Sequence, residues 1–195
     1  MAWKSHSIRI LVLEENHQYF HVDCQIPGRN SFILTALYAK PHHDYRQQLW
    51  RNLFNLSQSI SNAWVVFGDF NDILAASDRI GGAQIPYNRI DWFQSRIRDC
   101  GLVDMGFKGP KFTWRGPRLN GLRRLYERLD RALCNSEFLS SLSDCYLKVL
   151  PRTNFSDHNP ICLQFHSSHS GDVVKPFRFE AMWLEHDDFN RFLSS

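Results

Sequence analysis

No stretch of this chain approaches the ~20 consecutive apolar residues of a membrane-spanning helix. Its first apolar run, Ile10-Leu11-Val12-Leu13, is too short for the core of a secretory signal and reads as a strand. Cysteine is sparse and unpatterned: Cys24, Cys100, Cys134, Cys145 and Cys162 include no C-x-x-C pair and lie near no histidine pair at zinc-ligand spacing. His42-His43 are adjacent and point apart. An odd, dispersed set excludes a disulfide framework and implies reduced thiols, an intracellular compartment and no disulfide-linked partner. Neither sign of charge dominates. The net charge of +3 is compatible with a polyanionic partner without demanding one. There is no internal repeat, no low-complexity tract and no compact Lys/Arg-rich import signal.

What remains is a chain of 195 residues, 43% hydrophobic and 14% aromatic, enough for one globular domain with a sizeable core. Residues 8–13, 19–26 and 31–38 read as strands, the last two joined by the turn Pro27-Gly28-Arg29-Asn30 into a hairpin. Residues 44–61 carry Leu49, Trp50, Leu53, Phe54, Leu56 and Ile60 at helical spacing, with Pro41 in the first-turn region. Trp64-Val65-Val66-Phe67 is a continuous apolar run, as a buried central strand requires. Residues 87–100 present Ile90, Phe93 and Ile97 on one helical face and stop at Gly101. Strands follow at 112–114, 123–133, 146–150 and 160–165, with a short helix at 136–142. Irregular alternation with several adjacent strands predicts α/β with mixed sheets rather than a doubly wound parallel fold. A polar linker follows Phe165, and the tail from Phe177 to Leu193 is aromatic and acidic.

Two polar clusters sit at the ends of apolar runs. Gly68-Asp69-Phe70-Asn71 follows the central strand, and Ser156-Asp157-His158 precedes the last one. On extended chain, Asp69 and Asn71 point the same way. An Asp can orient and deprotonate water, and an Asn can donate to a phosphoryl oxygen without adding charge. Asp157 suits a hard divalent cation. His158 can stabilise a phosphate if a carboxylate orients its other nitrogen, and Asp130 in Arg128-Leu129-Asp130-Arg131 is the candidate. Each cluster also has a plainer reading: a strand-ending turn for the first and a cap or turn for the second. Tyr38 alone reads as a core or rim aromatic. A basic segment with glycine and proline breakers holds Arg115, Arg118, Arg123, Arg124 and Arg128 around Trp114. It suits a nucleic-acid backbone, and it equally suits a solvated loop.

Taken in order, the apolar run with Gly-Asp-Phe-Asn, then Arg-Leu-Asp-Arg, then Ser-Asp-His-Asn-Pro-Ile resembles the endonuclease/exonuclease/phosphatase superfamily. More narrowly it resembles the apurinic-endonuclease-like domain of plant non-LTR (LINE-type) retrotransposons. Leu37-Tyr38-Ala39, residues 78–82 and 101–104, Phe112-Thr113-Trp114 and residues 177–183 support it. The resemblance implies a four-layer α/β sandwich of the DNase I-like type, with mixed sheets packed face to face and helices outside. It implies that Asp69 activates water, Asn71 holds the scissile phosphate, Tyr38 sits near the leaving group, and His158 contacts the phosphate with Asp130 behind it. Asp157 would help bind Mg²⁺. DNA is the implied substrate, and the nucleus the implied compartment.

Members of that family open with a strand carrying an Asn and a second carrying a metal-binding Glu. Neither is found here, and Glu14-Glu15 fall on a later strand. The expectation is therefore an N-terminally truncated domain over residues 1–166, with a linker and tail over 167–195, and reduced Mg²⁺ affinity. The alternatives are a catalytically inactive nucleic-acid-binding remnant and a phosphatase of small phosphoesters.

Overall fold

The computed structural model describes residues 7–82, 87–118, 121 and 123–165. The polar linker and the aromatic, acidic tail lie outside them. Six strands form one sheet in the order β1 (Arg9–Glu15), β2 (Tyr19–Gln25), β3 (Phe32–Tyr38), β4 (Trp64–Asp69), β9 (Asp130–Cys134), β6 (Val103–Asp104). The strand β3 runs parallel to β4, and the other pairs are antiparallel. That parallel step needs a crossover, supplied by helix α1 (His43–Ser59). The β2–β3 hairpin closes as expected, with Gly28 at φ +77° in its turn. Pro41 lies just before α1, whose N-cap position is His42.

Side-chain alternation sends the sheet's apolar residues to two cores. Tyr19, Leu37, Trp64, Val66 and Leu133 meet Leu49, Trp50 and Leu53 of α1, and Phe93 and Ile97 of helix α2 (Tyr87–Asp99). Val22, Cys24, Phe32, Leu34, Val65 and Cys134 meet Phe138 of helix α3 (Ser136–Ser141). They also meet Cys145 and Leu147 of β10 (Cys145–Val149), which pairs with β11 (Ile161–Phe165). Trp64, Val65 and Val66 are each 1% exposed or less, so β4 is the buried central strand that its unbroken apolar run predicts. Cys24, Cys100, Cys134 and Cys145 are buried and Cys162 is half-buried. No helix among the described residues is long and apolar enough to cross a membrane.

The largest departure from the sequence reading lies at residues 123–133. The expected single strand is two. Tyr126–Glu127 (β8) joins Arg79–Ile80 (β5) and Trp114–Arg115 (β7) in a small three-stranded sheet, whereas β9 belongs to the large one. Between them the amides of Leu129 and Asp130 both donate to the buried Thr113 hydroxyl, at 3.0 and 2.9 Å. A hydroxyl oxygen can accept both, so the chain changes sheets without orphaning a buried N–H. The switch leaves Asp130 at the first position of β9.

Candidate active site

Three adjacent strand ends carry the polar residues. Tyr38 ends β3 and Asp69 ends β4, and they are register partners in the parallel pair. Asp130 begins β9 and is the register partner of Asp69 in the antiparallel pair. Tyr38 is 54% exposed, whereas Asp69 and Asp130 are buried. All three border a cleft floored by Phe20, Ala36, Phe67 and Ile161.

The chain reaches this position through Gly68, at φ +144°. A Cβ there would sit 2.0 Å from the Leu37 carbonyl oxygen, so only glycine lets β3 and β4 close together at this point. Asn71 follows in the left-handed region, at φ +49°, which asparagine tolerates better than most residues. Its backbone N–H donates to Asp69 Oδ1 at 2.8 Å. Its side-chain amide donates to Asp69 Oδ2 at 3.1 Å and to the Ala39 carbonyl at 2.6 Å. Both amide hydrogens are thus committed to holding Asp69 and the β3 end. Contact with a phosphoryl oxygen requires one of them to be released.

His158 arrives on the loop before β11. Its Nδ1 lies 2.9 Å from Asp130 Oδ2, and its Nε2 faces Asp69 Oδ2 at 3.9 Å. The hydrogen bond to Asp130 leads the influences that raise the imidazole's pKa, with burial opposing them. Burial, followed by repulsion from Asp130, lifts the Asp69 carboxyl to about 6. The Asn71 amide and His158 pull the other way. This is the carboxylate–imidazole pairing anticipated for Asp130 and His158.

The loop is pinned by residues 113–115; the strand expected at 112–114 is shifted, forming only at Trp114–Arg115. The Asn159 amide donates to the Thr113 carbonyl at 2.6 Å, and the Arg115 amide to the Asp157 carbonyl at 2.9 Å. Trp114 Nε1 donates to Asp157 Oδ2 at 3.0 Å. That hydrogen bond is the main reason the exposed Asp157 carboxyl lies below the usual range, so it is ionised. Trp114 therefore braces the Ser-Asp-His loop, while its ring lies 6.5 Å from that of His158.

The basic segment divides. Arg118 and Arg123 are exposed, and Arg115 and Arg124 half-buried. Arg128 departs from the expected phosphate-contacting role. It is 7% exposed and pairs with Asp104 at 2.9 Å, so it faces into the fold. The fully buried Arg131 bridges Asp104 and Asp78 at 2.8 and 2.5 Å. Sequence reasoning missed this network, and the double role of Thr113, because ionic partners 24 to 53 residues apart leave no local pattern.

Among the described residues there is no group of three side chains able to hold a metal ion. Mg²⁺ seldom uses an all-protein cage. It takes one or two carboxylates and completes its shell with water and substrate phosphate. The ionised, exposed Asp157 beside the Asp69–Asp130 pair fits that limited requirement.

The profile of the Endonuclease/Exonuclease/phosphatase family matches residues 5–158. The chain belongs to that family. Its fold is the family's DNase I-like arrangement of packed sheets and helices. Among solved structures it is similar to the endonuclease domain of TRAS1, a telomere-specific non-LTR retrotransposon. The identity is 16% and the TM-score 0.57, covering 83% of this chain and 70% of that one. It is also similar to an endonuclease/exonuclease/phosphatase family protein from Leptotrichia buccalis C-1013-b. There the identity is 15% and the TM-score 0.50, covering 81% of this chain and 60% of that one. The chain thus spans less than two thirds of the second structure's length. No curated protein sequence matches it.

Proposed function

We propose that this protein is a phosphodiesterase of endonuclease type that hydrolyses DNA with the help of Mg²⁺, as in a retrotransposon endonuclease domain. The observation that carries the reading is His158 held between two carboxylates, hydrogen-bonded to Asp130 and facing Asp69. Asp130 fixes the ring and favours the imidazolium. That leaves Nε2–H free to donate to a non-bridging phosphoryl oxygen as negative charge builds there. Asp69, ionised above about pH 6, accepts a proton from the attacking water. As the new P–O bond forms, the bond to the departing sugar oxygen breaks, with the Tyr38 hydroxyl near that leaving oxygen. Asp157 would hold the Mg²⁺ ion, which when bound neutralises charge on the leaving oxygen. Arg115, Arg118, Arg123 and Arg124 would follow the backbone. Residues 1–166 would form the catalytic domain. A DNA substrate goes with nuclear residence.

A second reading is a binding remnant without catalysis, favoured by the Asn71 side-chain amide, which is spent on Asp69 and the Ala39 carbonyl.

The test is nicking of supercoiled plasmid against a Mg²⁺ titration, with Asp69→Ala alongside and circular dichroism to establish folding. Nicking that requires both Mg²⁺ and Asp69 is expected. Nicking that survives Asp69→Ala overturns the mechanism. Salt-sensitive DNA binding by folded protein without nicking supports the remnant, and hydrolysis of a small phosphomonoester with none of DNA makes the protein a phosphatase.

A further inference from the structure

Another concavity borders the Ser-Asp-His loop. Arg115, Arg124, Arg152, Asn154, Phe155 and Asp157 line it, and its volume is roughly 550 Å³. Arg152 and Phe155 come from the loop leading into Asp157, and Arg115 and Arg124 from the segment around β7 and β8. No salt bridge links any of these three arginines to a carboxylate of the described residues, whereas Arg79, Arg128 and Arg131 nearby are all paired. Arg115 Nε is buried with no hydrogen-bond partner among them. Three cations against the single carboxylate of Asp157 leave the cleft with surplus positive charge.

Phe155 is 99% exposed. A lone exposed apolar side chain is ordinary. This one is an aromatic ring in a concavity shared with guanidinium groups that carry no salt bridge; Arg124 Nη1 donates only to the Gly116 carbonyl, at 3.4 Å. An aromatic platform next to a phosphate-binding wall is how proteins hold unpaired nucleotides. A duplex buries its base faces in its own stack and offers nothing to a protruding ring. Two residues separate Phe155 from His158, so their Cα atoms, three steps apart, lie at most about 11 Å from each other. That places the ring within a few nucleotides of the reacting phosphate.

We propose that this cleft binds an unpaired nucleotide flanking the scissile phosphate. The base stacks on Phe155, and neighbouring backbone phosphates contact Arg115, Arg124 and Arg152. The proposal rests on nucleic acid being the substrate and makes a single-stranded or locally opened flank the preferred form.

The experiment measures binding without cleavage. Fluorescence anisotropy with a labelled 20-nucleotide single strand and the matching duplex, in EDTA, separates this proposal from the catalytic one. The unmodified protein should bind the single strand more tightly. Phe155→Ala should weaken that binding about 10-fold and leave duplex binding within twofold, with Phe155→Trp retaining the preference. Arg152→Gln should lower the slope of log affinity against log salt by about 0.7. Equal losses on both substrates, no loss with Phe155→Ala, or an unchanged salt slope with Arg152→Gln would overturn the proposal. Failure to nick plasmid bears only on the catalytic reading.

Discussion

Asp69 and Asp130 face each other across β4 and β9 as register partners. Like charges directly opposite on a sheet repel, and both residues are buried. The protein offsets this with His158 between them and with amide donors from Asn71 on Asp69. A strand pair built for stability alone would hold apolar residues here.

That cost predicts how Asp69 responds to pH. Its carboxyl is raised from 3.8 to about 6, mainly by burial. The folded state therefore binds this proton more tightly than the unfolded chain does. The resulting stability is fully present below about pH 4 and is lost as pH rises through 6. Asp69→Asn should gain about 1 kcal/mol at pH 8, or about 2–4 °C in Tm, and almost nothing at pH 4. Melting curves at the two pH values check this. The same shift places the acid limb of the rate profile near pH 6.

Removing charge from Asp130 tests the other side of the pair. Asp130→Asn withdraws the main influence that raises His158. The alkaline limb of the profile should move to lower pH, and kcat should fall about 10–100-fold. A fall in kcat with an unmoved limb would mean that Asp130 acts only through packing. Rate profiles of folded variant and parent decide the matter.

Gly68→Ala should be costly out of proportion to one methyl group. The new Cβ would meet the Leu37 carbonyl at 2.0 Å, in a backbone conformation that L-residues avoid. A loss of about 3 kcal/mol or more is expected. Gly28→Ala, also at positive φ but with no atom within 4 Å, should lose about 1–2 kcal/mol. Denaturant unfolding of both variants separates clash from backbone strain.

Arg131→Met should be among the most damaging single changes. It leaves Asp78 and Asp104 without the guanidinium that bridges them in the interior. Breaking a buried pair by removing one partner costs about 3–5 kcal/mol. Urea unfolding provides the measurement. A loss under 1 kcal/mol would mean that water reaches the two carboxylates.

Much of this architecture was legible in the sequence, for local reasons. The apolar run at 64–67, the helical spacing of Leu49, Trp50 and Leu53, and the Pro27-Gly28 turn each report their own surroundings. The candidate site was legible because its residues cluster at strand ends. Hidden from view were features made by distant pairing. Residues 123–133 look like one strand, because nothing local records that Thr113 accepts from two amides and turns the chain into a second sheet. The basic run likewise hides which arginines are neutralised at home, as Arg128 is by Asp104.

The four buried cysteines divide between the two faces of the large sheet. Cys100 belongs to the helical side, and Cys24, Cys134 and Cys145 to the side of β10 and β11. Burial pushes all four thiols up to about 12, so they are chemically silent while their core is closed. Each therefore acts as a time-stamp for opening. A thiol reagent that labels Cys100 before the other three would show the helical layer lifting first, and the reverse order would show the small sheet peeling away. The molecule carries its own two-channel record of how it comes apart.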